Sequence, residues 1–175
     1  HLSDKLESIT AWLQETLPKV DAIFLTGGVS MGDGDFVPEA IRKAGGRIGF
    51  HKLPIRPGKP ILGAFGPSGQ VIFGLPGNPV SVLVTARRIA VPVLRFLAGA
   101  DEWQDEPVQV VLANPDSKKL GLVWYRLVQS TTDGRLSLLQ SQGSGDLVSL
   151  ARSVGFIEVP IDQATTTGPW PLYRW

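Results

Sequence analysis

The feature that most constrains this chain is the segment 25–36, LTGGVSMGDGDF, where an apolar strand breaks into a glycine-rich turn that carries two carboxylates. Backbone N–H groups in a strand–glycine–helix turn point outward and attract anions, and a neighbouring carboxylate can hold the divalent cation that a phosphate brings. The turn also follows the carboxyl end of a buried strand, where open α/β sheets bind ligands. The segment therefore predicts an anion site, with a tight strand-to-helix connection and solvated aspartates as the alternative.

The residues of this segment form two groups of candidate ligands. Glycines let the backbone approach an anion closely, a hydroxyl adds a donor, and carboxylate oxygens suit Mg²⁺. The candidate anion ligands are Gly27, Gly28, Gly32 and Ser30, and the candidate cofactor-binding residues of the segment also include Thr26 and Val29. The candidate Mg²⁺ ligands are Asp33 and Asp35.

A second candidate site is a cluster of basic side chains around a Pro-Gly-Lys-Pro turn. It consists of His51, Lys52, Arg56 and Lys59. Cations held on a stiff loop suit a phosphate or another oxyanion, whereas an isolated cluster of this kind is usually a solvated basic loop. The combination with the glycine turn favours the anion site.

The third segment is 74–81, GLPGNPVS, which ends a strand, makes a rigid turn and begins a helix. Asn78 is a good N-cap and Pro79 a good first residue for a long helix to about Ala98, which Pro92 should kink or break. The partial positive charge of a helix N-terminus could face an anion, or the turn could be only a stiff connection. The candidate ligands here are Pro76, Gly77, Asn78, Pro79 and Ser81.

Composition narrows the class of protein. A net charge of +1 gives no field that would attract nucleic acid or an anionic membrane. The longest apolar stretch, 80–97, is interrupted by three arginines and a proline, which indicates a buried helix rather than a membrane span. The lack of cysteine excludes disulfides and thiolate metal sites. We expect a cytoplasmic protein and, because the sequence opens on a helix without an initiator Met, a piece of a longer chain.

Residues 1–100 have the pattern of an α/β domain. Apolar residues at intervals of three and four from Leu2 to Leu17 predict an amphipathic helix that Pro18 ends. Residues 22–26 are typical of a short strand buried on both faces. The order helix–strand–helix–strand favours a doubly wound, mostly parallel sheet.

Residues 101–175 have the pattern of a small β domain. An acidic linker comes first, and short alternating segments follow it, with Asp133-Gly134 as a hairpin signal between two of them. Because a small sheet must cover its edges, we expect a barrel-like arrangement.

Together, the three segments closely resemble the C-terminal half of MoeA-type molybdopterin molybdenumtransferases, the family that includes the gephyrin E domain. The resemblance implies a three-layer molybdopterin-binding domain, incomplete at its N-terminus, followed by a C-terminal β domain. It implies insertion of molybdate into adenylylated molybdopterin with release of AMP, and Mg²⁺ as cofactor. It also implies a homodimer of the full-length protein, contact with molybdopterin-pathway enzymes, and a pterin site at the glycine turn, Lys59 and the turn at 76–81.

The same resemblance suggests roles for individual charged residues. Asp35 occupies the family's metal-associated aspartate, and Asp33 stands where the family often has Glu. Asp4 falls on a functional acidic position, although an acidic residue at the start of a helix also stabilises the helix dipole. Lys52 and Arg56 match positions that approach the oxyanion, so we expect them to act with Asp35 in catalysis.

Two other functions stay open at this point. The gephyrin E domain shows that this fold can serve as a binding or scaffold module. Molybdopterin adenylyltransferases share the fold and the initial Thr-Gly-Gly, but they usually continue with Thr-Gly, whereas this chain continues with Val29-Ser30.

Overall fold

The computed structural model of the protein describes residues 1–30, 35–140 and 143–175. The chain divides into two compact units, each with its own sheet. The first unit consists of His1–Leu53 and Gly58–Asn78, and the second of Pro54–Pro57 and Pro79–Trp175. No helix in the described part is long and apolar enough to cross a membrane.

Helices alternate with strands in the first unit, and strands dominate the second after one interrupted helix. The helices are α1 (Leu6–Thr16), α2 (Val37–Lys43), α3 (Pro79–Thr85), α4 (Val91–Leu97) and α5 (Leu147–Arg152), with a 3₁₀ turn at Leu17–Lys19 and a π turn at Ala86–Ala90. The strands are β1 (Ala22–Thr26), β2 (Arg47–His51), β3 (Ile55–Arg56), β4 (Leu62–Phe65), β5 (Val71–Leu75), β6 (Val108–Val110), β7 (Val123–Ser130), β8 (Leu136–Leu138), β9 (Gly155–Val159) and β10 (Trp170–Arg174).

The first unit is built on a four-stranded mixed sheet in the order β1-β5-β4-β2. β1 and β5 are parallel, whereas β4 is antiparallel to both β5 and β2. The predicted α/β class is confirmed, but the mostly parallel sheet is corrected to a mixed one within the described residues. The cause is the short turn between β4 and β5, where the Gly66 N–H donates to the Gln70 carbonyl over 2.7 Å. A turn this short reverses the chain, so the two strands must be antiparallel.

Helices α1 and α2 cover one face of this sheet. α1 buries Ile9 and Leu13, and Leu17 in the 3₁₀ turn continues the same stripe, which confirms the predicted spacing. These side chains join inward residues of α2, β1, β4 and β5 in one buried cluster. On the opposite face, Phe24 stacks on Phe73 with the ring centroids 5.5 Å apart. β1 therefore alternates between buried and exposed side chains, so the predicted burial on both faces is wrong.

The second unit contains a closed ring of strands. β7 pairs with β9, β9 with β10, and β10 with β6, all antiparallel. The Asp133-Gly134 hairpin returns the chain from β7 into β8. Just beyond β6, the Ala113 N–H donates to the Leu136 carbonyl over 2.8 Å, and Leu112 forms a parallel bridge with Leu136. These contacts join the two ends of the ring and confirm the predicted barrel-like domain.

One interrupted helix runs through α3, the π turn and α4. The predicted helix from Pro79 to about Ala98 is present, and its irregularity lies in the turn that precedes Pro92. Proline has no N–H to donate, and its ring crowds the carbonyl four residues earlier. The wider π turn accommodates both effects before α4 continues.

Ion pairs connect this helix to later parts of the second unit. Asp105 accepts hydrogen bonds from Arg87 and from Arg95, the latter over 3.0 Å. Arg87 also donates to the Arg174 carbonyl over 2.8 Å. The helix at 79–97 therefore groups with the second unit, although the sequence predicts a division near residue 100. The periodicity of apolar residues indicates which face of a helix is buried, but it does not indicate which residues its arginines will pair with, so it could not assign this helix to the second unit.

Replacing Asp105 by Asn should destabilise the second unit in a pH-dependent way. Burial raises the pKa of the Asp105 carboxyl, but hydrogen bonds and charge interactions with Arg87 and Arg95 outweigh burial and hold that pKa below its usual range. A group with a lowered folded-state pKa adds stability above its unfolded pKa and loses it as the pH falls through the folded value. We expect denaturant unfolding of D105N to show a loss of about 1–3 kcal/mol at pH 7. That loss should shrink below about pH 4.

The matched control is Asp101→Asn in the same segment. Asp101 is exposed and makes no ion pair within the described part of the chain. We expect its unfolding free energy to stay within about 0.5 kcal/mol of the wild type. Equal losses of unfolding free energy in D105N and D101N would show that the ion pairs of Asp105 with Arg87 and Arg95 do not stabilise the second unit.

Candidate functional site

Three strands bring their carboxyl ends to one edge of the first-unit sheet. β1 and β5 are parallel, and two antiparallel steps return β2 to the same direction. The register places Leu25, Gly74, Leu62 and His51 in one row across the four strands. The segments that follow β1, β5 and β2 therefore leave the sheet at the same edge. These are the glycine turn, the turn at 76–77 and the start of the basic cluster, the three candidate sites predicted from the sequence.

The glycine turn after β1 depends on left-handed backbone. The φ angle is +83° at Gly27 and +66° at Gly28, values that side chains with a Cβ rarely adopt. The Gly27 N–H donates to the Leu75 carbonyl over 3.0 Å, and the Gly28 carbonyl accepts from the Val37 N–H over 3.2 Å. The turn is thus tied to β5 at one end and to the start of α2 at the other.

The same turn presents a run of free donors. Among the residues that the structure describes, the N–H groups of Gly28, Val29 and Ser30 donate to no acceptor. Successive N–H groups in such a turn form a partially positive concavity that suits anions. Thr26 and Ser30 are both exposed, so their hydroxyls can add to the donor set. The N–H groups of Gly28, Val29 and Ser30 are thus available to an anion, whereas that of Gly27 is bonded to Leu75, and anion binding itself stays a prediction.

The turn after β5 lies against the glycine turn. Thr26 is opposite Leu75 in the register, so the two turns begin side by side. A Cβ built on Gly77 would lie only 3.7 Å from the Gly27 Cα. Pro76 is buried, whereas Gly77 is exposed. This turn therefore offers mainly backbone to a ligand at the sheet edge.

His51 connects β2 to the glycine turn. Its Nε2 atom lies 2.9 Å from the Val29 carbonyl oxygen. A carbonyl oxygen can only accept, so Nε2 carries the hydrogen and donates it. The Val29 side chain is buried over Gly74, where an added Cβ would come within 2.6 Å of it. The glycine turn therefore extends from β1 across β5 and β4 to β2.

Lys52 follows His51 at the same edge. Its φ angle is +65°, which is unusual for a residue with a side chain. The Lys52 N–H donates to the Ile61 carbonyl over 2.9 Å, and the Leu53 N–H donates to the Lys59 carbonyl over 3.0 Å. The side chain of Lys52 is half-buried, whereas that of Lys59 is exposed. Backbone hydrogen bonds therefore hold the ammonium-bearing residue directly after the histidine.

Other predicted ligands belong to the second unit. Arg56 is exposed in β3 and is paired in register with Trp124 of β7. Pro79 begins α3, and Ser81 is buried there, with its carbonyl accepting the Thr85 hydroxyl over 2.7 Å. The first unit brings together the glycine turn, the turn at 76–77 and Lys52. The roles of Arg56, Pro79 and Ser81 stay predictions, as does that of the exposed Asn78.

Asp35 is the metal candidate that the structure describes beside the turn. It is half-buried and lies two residues before Val37, whose N–H holds the Gly28 carbonyl. Gly32 and Asp33 lie outside the described residues. In residues 1–30, 35–140 and 143–175, no three His, Cys, Asp or Glu side chains cluster to hold a metal. Mg²⁺ does not need such a cluster, because one or two carboxylates with substrate phosphates commonly hold it.

Asp4 is exposed and precedes α1. The N-cap position of α1 is Lys5, and no side chain caps the helix. Asp4 therefore makes no capping hydrogen bond to α1. Its assignment as a metal ligand stays a prediction.

The contact between His51 and Val29 has no counterpart in the expectations from the sequence, where His51 is only one of several cations. The two residues are 22 positions apart, and no local spacing joins them. Only the strand order and register could have indicated the contact.

Comparison with known proteins points to one family. Residues 1–95 match the family described as "Probable molybdopterin binding domain". The chain is 36% identical over 165 residues to the molybdopterin molybdenumtransferase of Synechococcus elongatus, covering 93% of this chain and 40% of that protein. It is 43% identical over 100 residues to the molybdenum cofactor synthesis protein cinnamon of Drosophila melanogaster, covering 57% of this chain and 16% of that protein.

Solved structures agree with this result. The molybdopterin biosynthesis MoeA protein from Pyrococcus horikoshii gives a TM-score of 0.77 at 23% identity, over 98% of this chain and 42% of that one. That likeness shows the fold. The chain spans about 40% of the length of the molybdenumtransferases it matches most fully.

Replacing Gly74 by Ala should disturb the glycine turn through Val29. The new Cβ would lie 2.6 Å from the Val29 side chain and 3.3 Å from the Leu62 Cβ. Overpacking of this kind usually costs about 1–3 kcal/mol, and we expect that loss in the unfolding free energy. Gly121→Ala is the control, because its Cβ would meet only Asp162, at 3.9 Å. Equal stability of the two variants would contradict the packing of Val29 over Gly74.

Proposed function

Because this chain belongs to the family of molybdopterin-binding domains, we propose that it forms the part of a molybdopterin molybdenumtransferase that holds the pterin phosphate and molybdate. The observation that supports this most is the run of free N–H groups at Gly28, Val29 and Ser30, beside the turn at 76–77. In the proposed reaction, molybdate is inserted into adenylylated molybdopterin and AMP is released.

The protein's contribution to this reaction is positioning and charge stabilisation, because the nucleophilic sulfurs belong to the dithiolene of the pterin. The amide donors of the glycine turn hold phosphate or molybdate oxygens. Lys52 and Arg56 neutralise the charge of the anion, and hydrolysis of the phosphoanhydride consumes one water and frees AMP. The residues assigned to the pterin are Thr26, Gly27, Gly28, Val29, Ser30, Gly32, Lys59, Pro76, Gly77, Asn78, Pro79 and Ser81.

We assign Mg²⁺ binding to Asp35, together with Asp33 or Asp4. A half-buried carboxylate beside a phosphate-binding turn suits an ion that keeps several waters and takes its other ligands from substrate phosphates. When bound, the ion supplies positive charge to the phosphoanhydride. The carboxylate of Asp35 would hold it.

The family resemblance supports a wider proposal for the full-length protein. We propose that it is a cytoplasmic homodimer that contacts other enzymes of molybdopterin synthesis. The net charge of +1 gives no reason to expect a nucleic acid or an anionic membrane as partner.

Asp35→Asn should abolish AMP release while leaving the fold intact, because the amide keeps the shape of the carboxylate but removes its negative charge. The assay is AMP release from adenylylated molybdopterin with molybdate and Mg²⁺, in the longest natural polypeptide that contains this chain. We expect a loss of at least a hundredfold, which corresponds to about 2.7 kcal/mol of activation free energy.

Asp21→Asn is the control for this variant, because Asp21 is exposed in the same unit. It should keep wild-type AMP release. Normal turnover in D35N would refute the metal assignment. An inactive wild type that still binds the pterin would identify a binding module instead of an enzyme.

Lys52→Asn should weaken molybdate binding without straining the backbone. Asn tolerates the left-handed conformation that Lys52 adopts, so the substitution removes the charge and keeps the φ angle of +65°. A charge-assisted hydrogen bond is worth about 1.5–3 kcal/mol, so we expect at least a tenfold higher Kd by calorimetry. Lys19→Asn removes an equal charge at an exposed site paired with Glu15 and should bind molybdate normally. Equal affinities in the two variants would remove Lys52 from the site.

A further inference from the structure

His51 contacts the glycine turn at the Val29 carbonyl, which belongs to the same peptide as the free N–H of Ser30. We propose that His51 is a positioning residue that turns the Ser30 N–H toward the anion by holding the Val29 carbonyl. This inference rests on the proposed function, because it assumes that the turn binds an oxyanion of the phosphate or molybdate class.

The tautomer of His51 follows from the contact itself. Nε2 lies 2.9 Å from the Val29 oxygen and must donate, because a carbonyl has no hydrogen. Both the neutral Nε2–H tautomer and the imidazolium can make this bond. The donor is therefore present whichever of these two forms the ring adopts.

The orientation of the next donor follows from peptide geometry. The Val29 carbonyl and the Ser30 N–H belong to one planar trans peptide, in which the C=O and N–H bonds point in opposite directions. Since the carbonyl points toward His51 on β2, the Ser30 N–H must point away from β2. That N–H has no acceptor among the described residues.

Local packing alone does not fix this peptide. The Val29 side chain is 2% exposed and anchored over Gly74, so the residue cannot leave the core. The two rotations that turn this peptide are ψ of Val29 and φ of Ser30, and its one hydrogen bond among the described residues is the one to His51. Without a donor on β2, a half-buried carbonyl would lose its hydrogen bond and gain by turning toward solvent. Such a rotation would swing the Ser30 N–H away from the anion.

Two substitutions separate the hydrogen bond from the general packing of the ring. In His51→Gln, the side-chain amide nitrogen can occupy nearly the same place as Nε2 and can still donate. In His51→Asn, the amide is one carbon shorter and cannot reach the Val29 oxygen. Both variants lose the ring, so any effect of lost packing is common to the two.

The experiment uses the 175-residue chain labelled with ¹⁵N. Residual dipolar coupling of the Ser30 N–H reports the direction of that bond, and titration with inorganic phosphate reports anion binding through the Gly28 and Ser30 amide shifts. We expect Gln to keep the wild-type coupling and a phosphate Kd within about threefold of the wild type. We expect Asn to change the coupling and to weaken phosphate binding by about tenfold, as for the loss of one hydrogen bond to an anion.

The outcomes distinguish this inference from the proposed function. A wild-type coupling and unchanged phosphate affinity in His51→Asn would overturn the role of His51. Loss of the wild-type coupling in both variants would also overturn it, because the ring rather than the donor would then set the turn. If the Gly28 and Ser30 amide shifts of the wild-type chain do not change on addition of phosphate, the anion site is refuted. The dipolar coupling of Ser30 in the two variants would still decide whether His51 orients the peptide.

Discussion

The parallel pairing of β1 with β5 is the constraint on which the candidate site depends. Residues 22–26 lie beside residues 71–75 in register, and the Gly27 N–H extends the pairing by donating to the Leu75 carbonyl. Because parallel partners end at the same edge, the two turns that follow must meet there. Either turn alone would be a strand connection. Their meeting makes a surface of backbone donors, so the site is a product of strand order as much as of any motif.

This arrangement explains why glycine stands at several positions of the site. At some of them glycine is needed for the space that its missing side chain leaves, and at others for its backbone angles. Gly74 leaves room for Val29 to pack across the sheet, and Gly77 allows its turn to come close to Gly27. Neither Gly74 nor Gly77 has a positive φ angle. A Cβ at Gly74 would collide with the Val29 side chain, whereas a Cβ at Gly77 would make an ordinary van der Waals contact with the Gly27 Cα. Gly74 and Gly77 therefore provide space, whereas Gly27 and Gly28 provide left-handed backbone, at the same edge of the sheet.

Elements with local signals are predictable from this sequence. The apolar spacing of α1, the strand at 22–26 and the Asp133-Gly134 hairpin all correspond to the structure. Elements that depend on tertiary pairing are not. β3 has only two residues and is defined by its pairing with β7. β10 contains Pro171, and a proline normally argues against a strand because it cannot donate a hydrogen bond. In the structure, Pro171 is opposite Gln109 of β6, and the pairing of β10 with β9 begins only at the next residue, Leu172.

The candidate site divides in the same way. The free donors at 28–30 are a local property of a glycine turn, so the sequence predicts them. The contact of His51 with Val29 instead arises from the register of strands that are distant in sequence. A net charge of +1 gives the protein little overall attraction for an anion. We therefore expect anion binding to depend on short-range donors held in fixed directions, among them neutral amides, which act best when they need no reorganisation. The histidine two strands beyond β5 thus matters because it makes a flexible glycine turn behave as a rigid one.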